Sequence, residues 1–443
     1  MTRAANVYID MRFPAALCAA LLCLSLRPVP AQETSGQTTK EKISSIREQG
    51  KRGSEAIPSM TNYLSDPDLE VRQEAVKAIV NVGTQYSLDP LIRATHDNDP
   101  EVQTEAVDGL VNFYLPGYVT TGGLSHTFTR VSKRIKNTFE SRNDQVIDPG
   151  ITVRPEVIEA IGALVTGGAS LDSRAAAARA LGVLRGAGAL PQLEKALQSH
   201  DTSLIFETLV AIQKIKDPSA GKSVILLAND PDKDVQVAAL ETLGILRTAD
   251  AAPQIRQAVG RAKNQKVRRA ALGSLAMLTE PSDHNIFQEY ARNKDAALRT
   301  AALEGLGRLR DPQDFPTLEK AFNEESDMKA RLAAAFALAY EGKVETSEFS
   351  PLRYLVNGLN INKASSISAA YLTELSQRDD VRKALIPLVK EGTKQEKIGL
   401  VHALASAGGA DSTSAIQSLT SDPDSDVSIA AARSLKTIKA RTP

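Results

Sequence analysis

The chain has 443 residues, 42% of them hydrophobic, 24% charged and 4% aromatic, with no Trp, a composition that fits a folded helical protein. Fifty-three basic residues balance 53 acidic ones, so the formal net charge is zero. The broad positive field with which a general nucleic-acid binder meets phosphate is missing, and no nucleic-acid partner is expected.

The first element is apolar. Arg12 precedes a 14-residue apolar stretch from Phe13 to Leu26, and Val29-Pro30-Ala31 then leads into Gln32. A positive start, a short apolar core and small residues before the cut predict a secretory signal peptide over residues 1–31, with Met11 a candidate start. As a helix the stretch would rise about 21 Å, short of a ~30 Å bilayer core, which argues against a permanent anchor. Leu17 and Leu22 precede Cys18 and Cys23 where lipid attachment requires a small residue. Both cysteines fall inside this segment, so the exported chain would carry no disulfide, thiol nucleophile or Cys-based metal site. The expected location is a periplasm or the exterior.

A polar linker and a capping helix, Lys40 to Gln49, fill residues 32–54; Ile43 and Ile46 share its inner face. From there a single unit recurs roughly eleven times, in a form approaching V-R-x-x-A-x-x-A-L-G-x-L. The position of Arg72 recurs at Gln103, Arg174, Ile205, Gln236, Arg268, Arg299, Arg331, Ser366, Lys397 and Ser428. The steps are nearly even, with two exceptions. The step from Gln103 to Arg174 is more than doubled, and that from Arg331 to Ser366 is slightly lengthened. In the first unit, helix A is predicted from Glu55 to Leu64, a turn at Ser65-Asp66-Pro67-Asp68, and helix B from Leu69 to Val82. Val71, Ala75, Ala78, Ile79 and Val82 make one apolar stripe. Small Ala residues permit close neighbours, and Gly83 suits the C-terminal cap. Later B helices are predicted over Ala175–Gly186, Val235–Leu246, Val267–Leu278, Leu298–Leu309 and Val427–Ile438.

The stretches from Asp66 to Ala75 and from Ala296 to Gly307 resemble HEAT repeats of the short bacterial kind. The resemblance covers about residues 40–440 apart from an insertion. It implies an all-α fold, an α-solenoid of about eleven HEAT-like helical hairpins, with units 1–2 in residues 55–114 and units 3–11 in 151–443. It says almost nothing about activity. The class includes bilin lyases and a DNA glycosylase, and nothing here matches either beyond the repeat itself.

Residues 115–150 interrupt the rhythm. Phe128, Val131, Ile135 and Phe139 fall on one helical face, with Arg130, Lys133, Arg134 and Lys136 around them. This pattern predicts a basic amphipathic helix: a brace on units 2 and 3, a partner contact through Phe128, Arg130, Lys133 and Arg134, or a membrane-surface element.

A search for catalytic chemistry returns little. His96, His126, His200, His284 and His402 are scattered over different units, and neither H-E-x-x-H, G-x-S-x-G nor a P-loop occurs. No catalytic residue, cofactor or metal is expected. Asp230, Asp232 and Asp234, and likewise Asp422, Asp424 and Asp426, have the spacing of a calcium loop. In the first, Glu241 even falls at position twelve, but position six is Val235 where such a loop needs Gly. In the second, position twelve is Arg433. Both are therefore expected to be turns capping helix B. The Arg72-type residues are expected to pair with turn aspartates of adjacent units.

One and five residues after the Arg72 position the side chains become apolar: Phe206 and Val210, Leu332 and Phe336, Ile367 and Tyr371, Ile398 and His402. Each pair shares one helical face. With B helices on the concave side, these residues would line an apolar groove for a protein or peptide, unless the superhelix packs them between units. The expectation is an exported, non-enzymatic scaffold of the cell envelope. The alternatives are an enzyme of lyase type and a membrane-peripheral protein using the insertion.

Overall fold

A computed structural model describes residues 36–118 and 145–441. The expected signal peptide, and Phe128, Arg130, Lys133 and Arg134 of the insertion, lie outside these residues. Among the described residues the chain is helical throughout and without strands, in eleven hairpins behind a capping helix, Thr39–Gly50. The cap begins with Thr38 and Glu41 bonding reciprocally to each other's backbone N–H, and it buries Ile46.

Helix B of unit 1 spans Leu69–Val82, as its apolar stripe predicts. Several later B helices start earlier than the stripe does: Leu171–Val183, Lys233–Ile245, Gln265–Leu278 and Ala296–Leu309. The reason lies in the cap. Ser170, Asp232, Asn264 and Asp295 each accept backbone N–H groups of the first turn, so the helix opens at the cap rather than at its first buried residue. The calcium-loop spacing is thereby explained. Asp230 accepts from the N–H of Asp232, and Asp232 from those of Asp234 and Val235.

The A helix of unit 1 is poorer than expected. In unit 1 the stretch from Glu55 to Leu64 divides into 3-10 turns at Gly53–Ala56 and Tyr63–Ser65 around a short helix, Ile57–Asn62. Left-handed residues stand where the chain leaves helix B: Gly83 at φ 59°, as predicted, but also Lys216, Thr279 and Arg310 at 57–60°. Side chains there oppose the conformation, which only tertiary packing holds.

Successive B helices pack on one another through the whole array, including that of unit 2 (Pro100–Tyr114) on that of unit 3, so the insertion leaves the stack unbroken. The Gly of the repeat motif makes this possible. A Cβ at Gly182, Gly244 or Gly307 would come within 2.8, 2.8 or 2.5 Å of the Cα of Ala211, Ser274 or Ala337 in the next unit. At the first junction the partners are exchanged: Val80 fills the space left by Gly109. B helices this close and looser A helices bend the array towards the B side, which becomes the concave face.

Gly307→Ala should therefore lower the urea midpoint by the equivalent of about 1–3 kcal/mol, the usual cost of overfilling a packed contact. Gly273→Ala, with open space around its Cα, should leave it unchanged or raise it. Equal midpoints for the two variants would contradict the close-approach role.

Candidate functional site

The recurring Arg positions close turns and bridge units, but not uniformly. Arg72 reaches Asp97 at 2.8 Å and Arg299 reaches Glu325 at 2.7 Å, each also donating to carbonyls of its own turn. Lys397 pairs with Asp422 in the same way. Arg174 and Arg268 instead donate to the carbonyls of Thr166 and Ala262, and Arg331 lies over the rings of Phe322 and Tyr354. Pairing with the neighbour's turn acid therefore holds for Arg72 and Arg299 and fails for those three.

The apolar groove expected from the apolar pairs, one in unit 4 and three in units 8 to 10, is largely filled by its own side chains. Leu332 and Phe336 are 1% and 0% exposed, and Val210 and Tyr371 are each 6% exposed. Phe336 stacks on Tyr371 with ring centroids 4.6 Å apart, and Arg308 covers it from unit 7. The cause is the tight curvature, which presses the B helices of units 7 and 9 together across unit 8. Arg308 bonds Glu374 through two nitrogens at 2.8 Å and Glu304 at 3.1 Å, while the Tyr371 hydroxyl donates to Glu304. Burial, and then the charge of Glu304, push the Tyr371 phenol well above its ordinary range, so it stays a donor. Removing one member of such a network strands the others' charges, at a cost of about 3–5 kcal/mol. An Asp at Phe336 or Tyr371 would break packing rather than block a groove. Phe206, Ile367 and Ile398 keep partial exposure, and His402 reaches solvent.

The open part of the concave face lies elsewhere. A cleft of about 570 Å³ runs between the B helices of units 5 and 6, lined by Val237, Ile245, Ala270, Gly273 and Met277, with Lys266 and Arg269 at its edge. Gly273 leaves the space free. Glu241, exposed to solvent, stands at the cleft, and the protein around it raises its pKa. Val237 and Glu241, and likewise Arg269 and Gly273, occupy the same one-and-five positions that identified Phe336 and Tyr371. Their mixed chemistry hid them, because only apolar pairs were sought.

Towards the N-terminus the concave positions carry charge. Arg179 forks onto the buried Glu207 at 2.6 and 3.1 Å, and Lys77 meets Glu105 at 3.3 Å in the same register. Lys214 donates to the carbonyl of Gln145, and the N–H of Ile147 to that of Val183, which ties the return of the insertion to units 3 and 4.

Glu105 is 6% exposed and one of its carboxyl oxygens is without a hydrogen bond. Burial pushes its pKa from 4.5 up to about 7 against the pull of Lys77. The folded chain then holds this proton more tightly than the unfolded chain. Its contribution to stability is complete below about pH 4.5 and is lost as pH rises through about 7. Between pH 5 and pH 8, Glu105→Gln should retain stability that the wild type loses, on the order of 1–3 kcal/mol by urea midpoints. Parallel losses in both proteins would show that Glu105 is not the group responsible.

Comparison with known proteins agrees with the architecture. The HEAT-repeat family matches residues 34–116, 221–289 and 284–339, and the PBS lyase HEAT-like repeat family matches residues 173–199. No curated protein matches the chain. Among solved structures, human deoxyhypusine hydroxylase is 17% identical over 56% of this chain and 96% of its own, with a TM-score of 0.27. Importin beta is 14% identical over 87% of this chain and 57% of its own, at 0.37. The CpcE–CpcF complex of phycocyanin lyase from Nostoc sp. is 19% identical over 79% and 99%, at 0.31. From such distances no activity or partner is carried over. Repeat length, hairpin order and family matches agree: this chain is built of HEAT-like repeats.

Proposed function

We propose that the protein is an exported, non-enzymatic scaffold that binds a protein segment along its concave face. The observation that carries this reading is the open cleft between units 5 and 6, whose apolar floor of Val237, Ile245, Ala270 and Met277 is bordered by the Glu241 carboxyl. Apolar anchors in such a cleft supply affinity, each buried side chain contributing roughly 1.5–3 kcal/mol. Glu241 supplies selectivity for a segment that brings a Lys or Arg beside an apolar residue. The ionisable cluster around Arg308 favours a structural role over a catalytic one, since its acids are already bound to Arg308 or Tyr371.

Peptides selected by display against residues 32–443 should carry that pattern, and Gly273→Phe combined with Met277→Glu should weaken them at least tenfold. Undiminished binding by the double variant would remove the cleft from consideration. Glu241→Gln should abolish the preference for the basic residue.

Export is supported by the apolar stretch from Phe13 to Leu26 and the small residues before Gln32. Among the described residues, no helix is long and apolar enough to cross a membrane. Expressed in a Gram-negative host, the protein should be recovered from the periplasmic fraction beginning at Gln32. A full-length chain retained in the cytosol would refute export.

A further inference from the structure

The convex side carries a second cluster, at the junction of units 7 and 8. Each A helix in this part of the array opens with a short 3-10 turn whose last residue is buried against the preceding unit. In units 4, 5 and 6 that residue is Ala189, Ala220 or Ala251; in units 7 and 8 it is Asp283 or Asp314, both 0% exposed. Asp283 is neutralised by Arg256 of the preceding unit, which bonds its two oxygens at 2.5 and 3.2 Å. One unit later the guanidinium is missing. Gln288 stands one repeat after Arg256 and donates to Oδ1 of Asp314 at 3.0 Å. Oδ2 faces Nε2 of His284 at 2.8 Å. A fully buried carboxylate is thus held by an amide and an imidazole where its counterpart has an arginine, and buried charge demands a compensating one.

A third ligand group converges on the same point. Asp311 spends Oδ1 on the N–H of Gln313 and turns Oδ2 to within 3.8 Å of His284 Nε2. The three ligand atoms all lie within 4.8 Å of one another. Around a tetrahedral zinc ion, with bonds of about 2.0–2.2 Å, neighbouring ligand atoms are roughly 3.3 Å apart. The separations of 2.8 and 3.8 Å lie on either side of that edge, so small side-chain movements would seat an ion. Imidazole with carboxylates suits a borderline divalent cation rather than calcium. Partial exposure of His284 and Asp311 leaves a fourth position for water.

We propose that His284, Asp311 and Asp314 bind a zinc-class divalent cation that joins unit 7 to unit 8. The ion supplies the positive charge that Arg256 gives to Asp283, and it closes the same inter-unit contact. The site is independent of the concave cleft, so either can fail without the other.

The test is titration of the EDTA-treated, dialysed protein with Zn²⁺ by calorimetry, together with melting curves. The wild type should bind one ion per chain and melt higher with zinc. His284→Ala and Asp311→Asn should each weaken binding at least tenfold and lose the thermal shift while keeping their helical circular dichroism. Gln288→Arg, which recreates the Arg256 arrangement, should melt higher than the wild type without metal and bind zinc more weakly. Failure of the wild type to bind, or equal stoichiometry and affinity in His284→Ala, would overturn the proposal.

Discussion

The architecture depends on how closely one B helix can lie against the next. A backbone-to-backbone approach needs a residue without a side chain on one helix and a small one on its neighbour. Gly182 against Ala211, Gly244 against Ser274 and Gly307 against Ala337 supply that pairing. Shortening the spacing on this side alone turns a stack of hairpins into a curved array. The curvature then determines which side chains meet.

That consequence is clearest at units 7 to 9. Arg308 and Glu374 belong to units that are not adjacent, yet they bond across the concave face. In a flatter array Phe336 would be an exposed aromatic; here Arg308 and Tyr371 enclose it. Charge is spent on locking the bend, and the open cleft moves to units 5 and 6, where Gly273 leaves the wall unfilled. The concave face is therefore graded. Ion pairs dominate in units 1 to 4, an open apolar cleft follows in units 5 and 6, and a closed aromatic and ionic lock occupies units 7 to 9.

Much of the architecture was legible along the chain. Helix B of unit 1 follows from its apolar stripe and the left-handed exit at Gly83 from its missing Cβ, whereas the starts of later B helices, set by the caps Ser170, Asp232, Asn264 and Asp295, fall before the buried residues from which they were expected. These are local properties, each decided within a single helical turn by the side-chain period and the unpaired N–H groups at the helix start. The broken A helix of unit 1 was less legible, because packing holds it more than propensity does. Lys216, Thr279 and Arg310 at positive φ carry no local signal at all.

The candidate sites divide the same way. Spacing alone placed Phe336 and Tyr371 on one kind of helical face, since residues four apart share a side; Val237 and Glu241 hold the same positions in unit 5 but were passed over for their mixed chemistry. Which of them meet solvent could not be read from that spacing. Exposure depends on superhelical curvature, a sum of small rotations over many junctions. The meeting of His284 with Asp311 and Asp314 is likewise tertiary, because nearly a full repeat of chain separates the partners and only the stacking of unit 8 on unit 7 brings them together. The sequence by itself determined the repeat, its hairpins and the side that faces inward. Tertiary structure decided which inward residues are buried, which remain open, and which charges find one another.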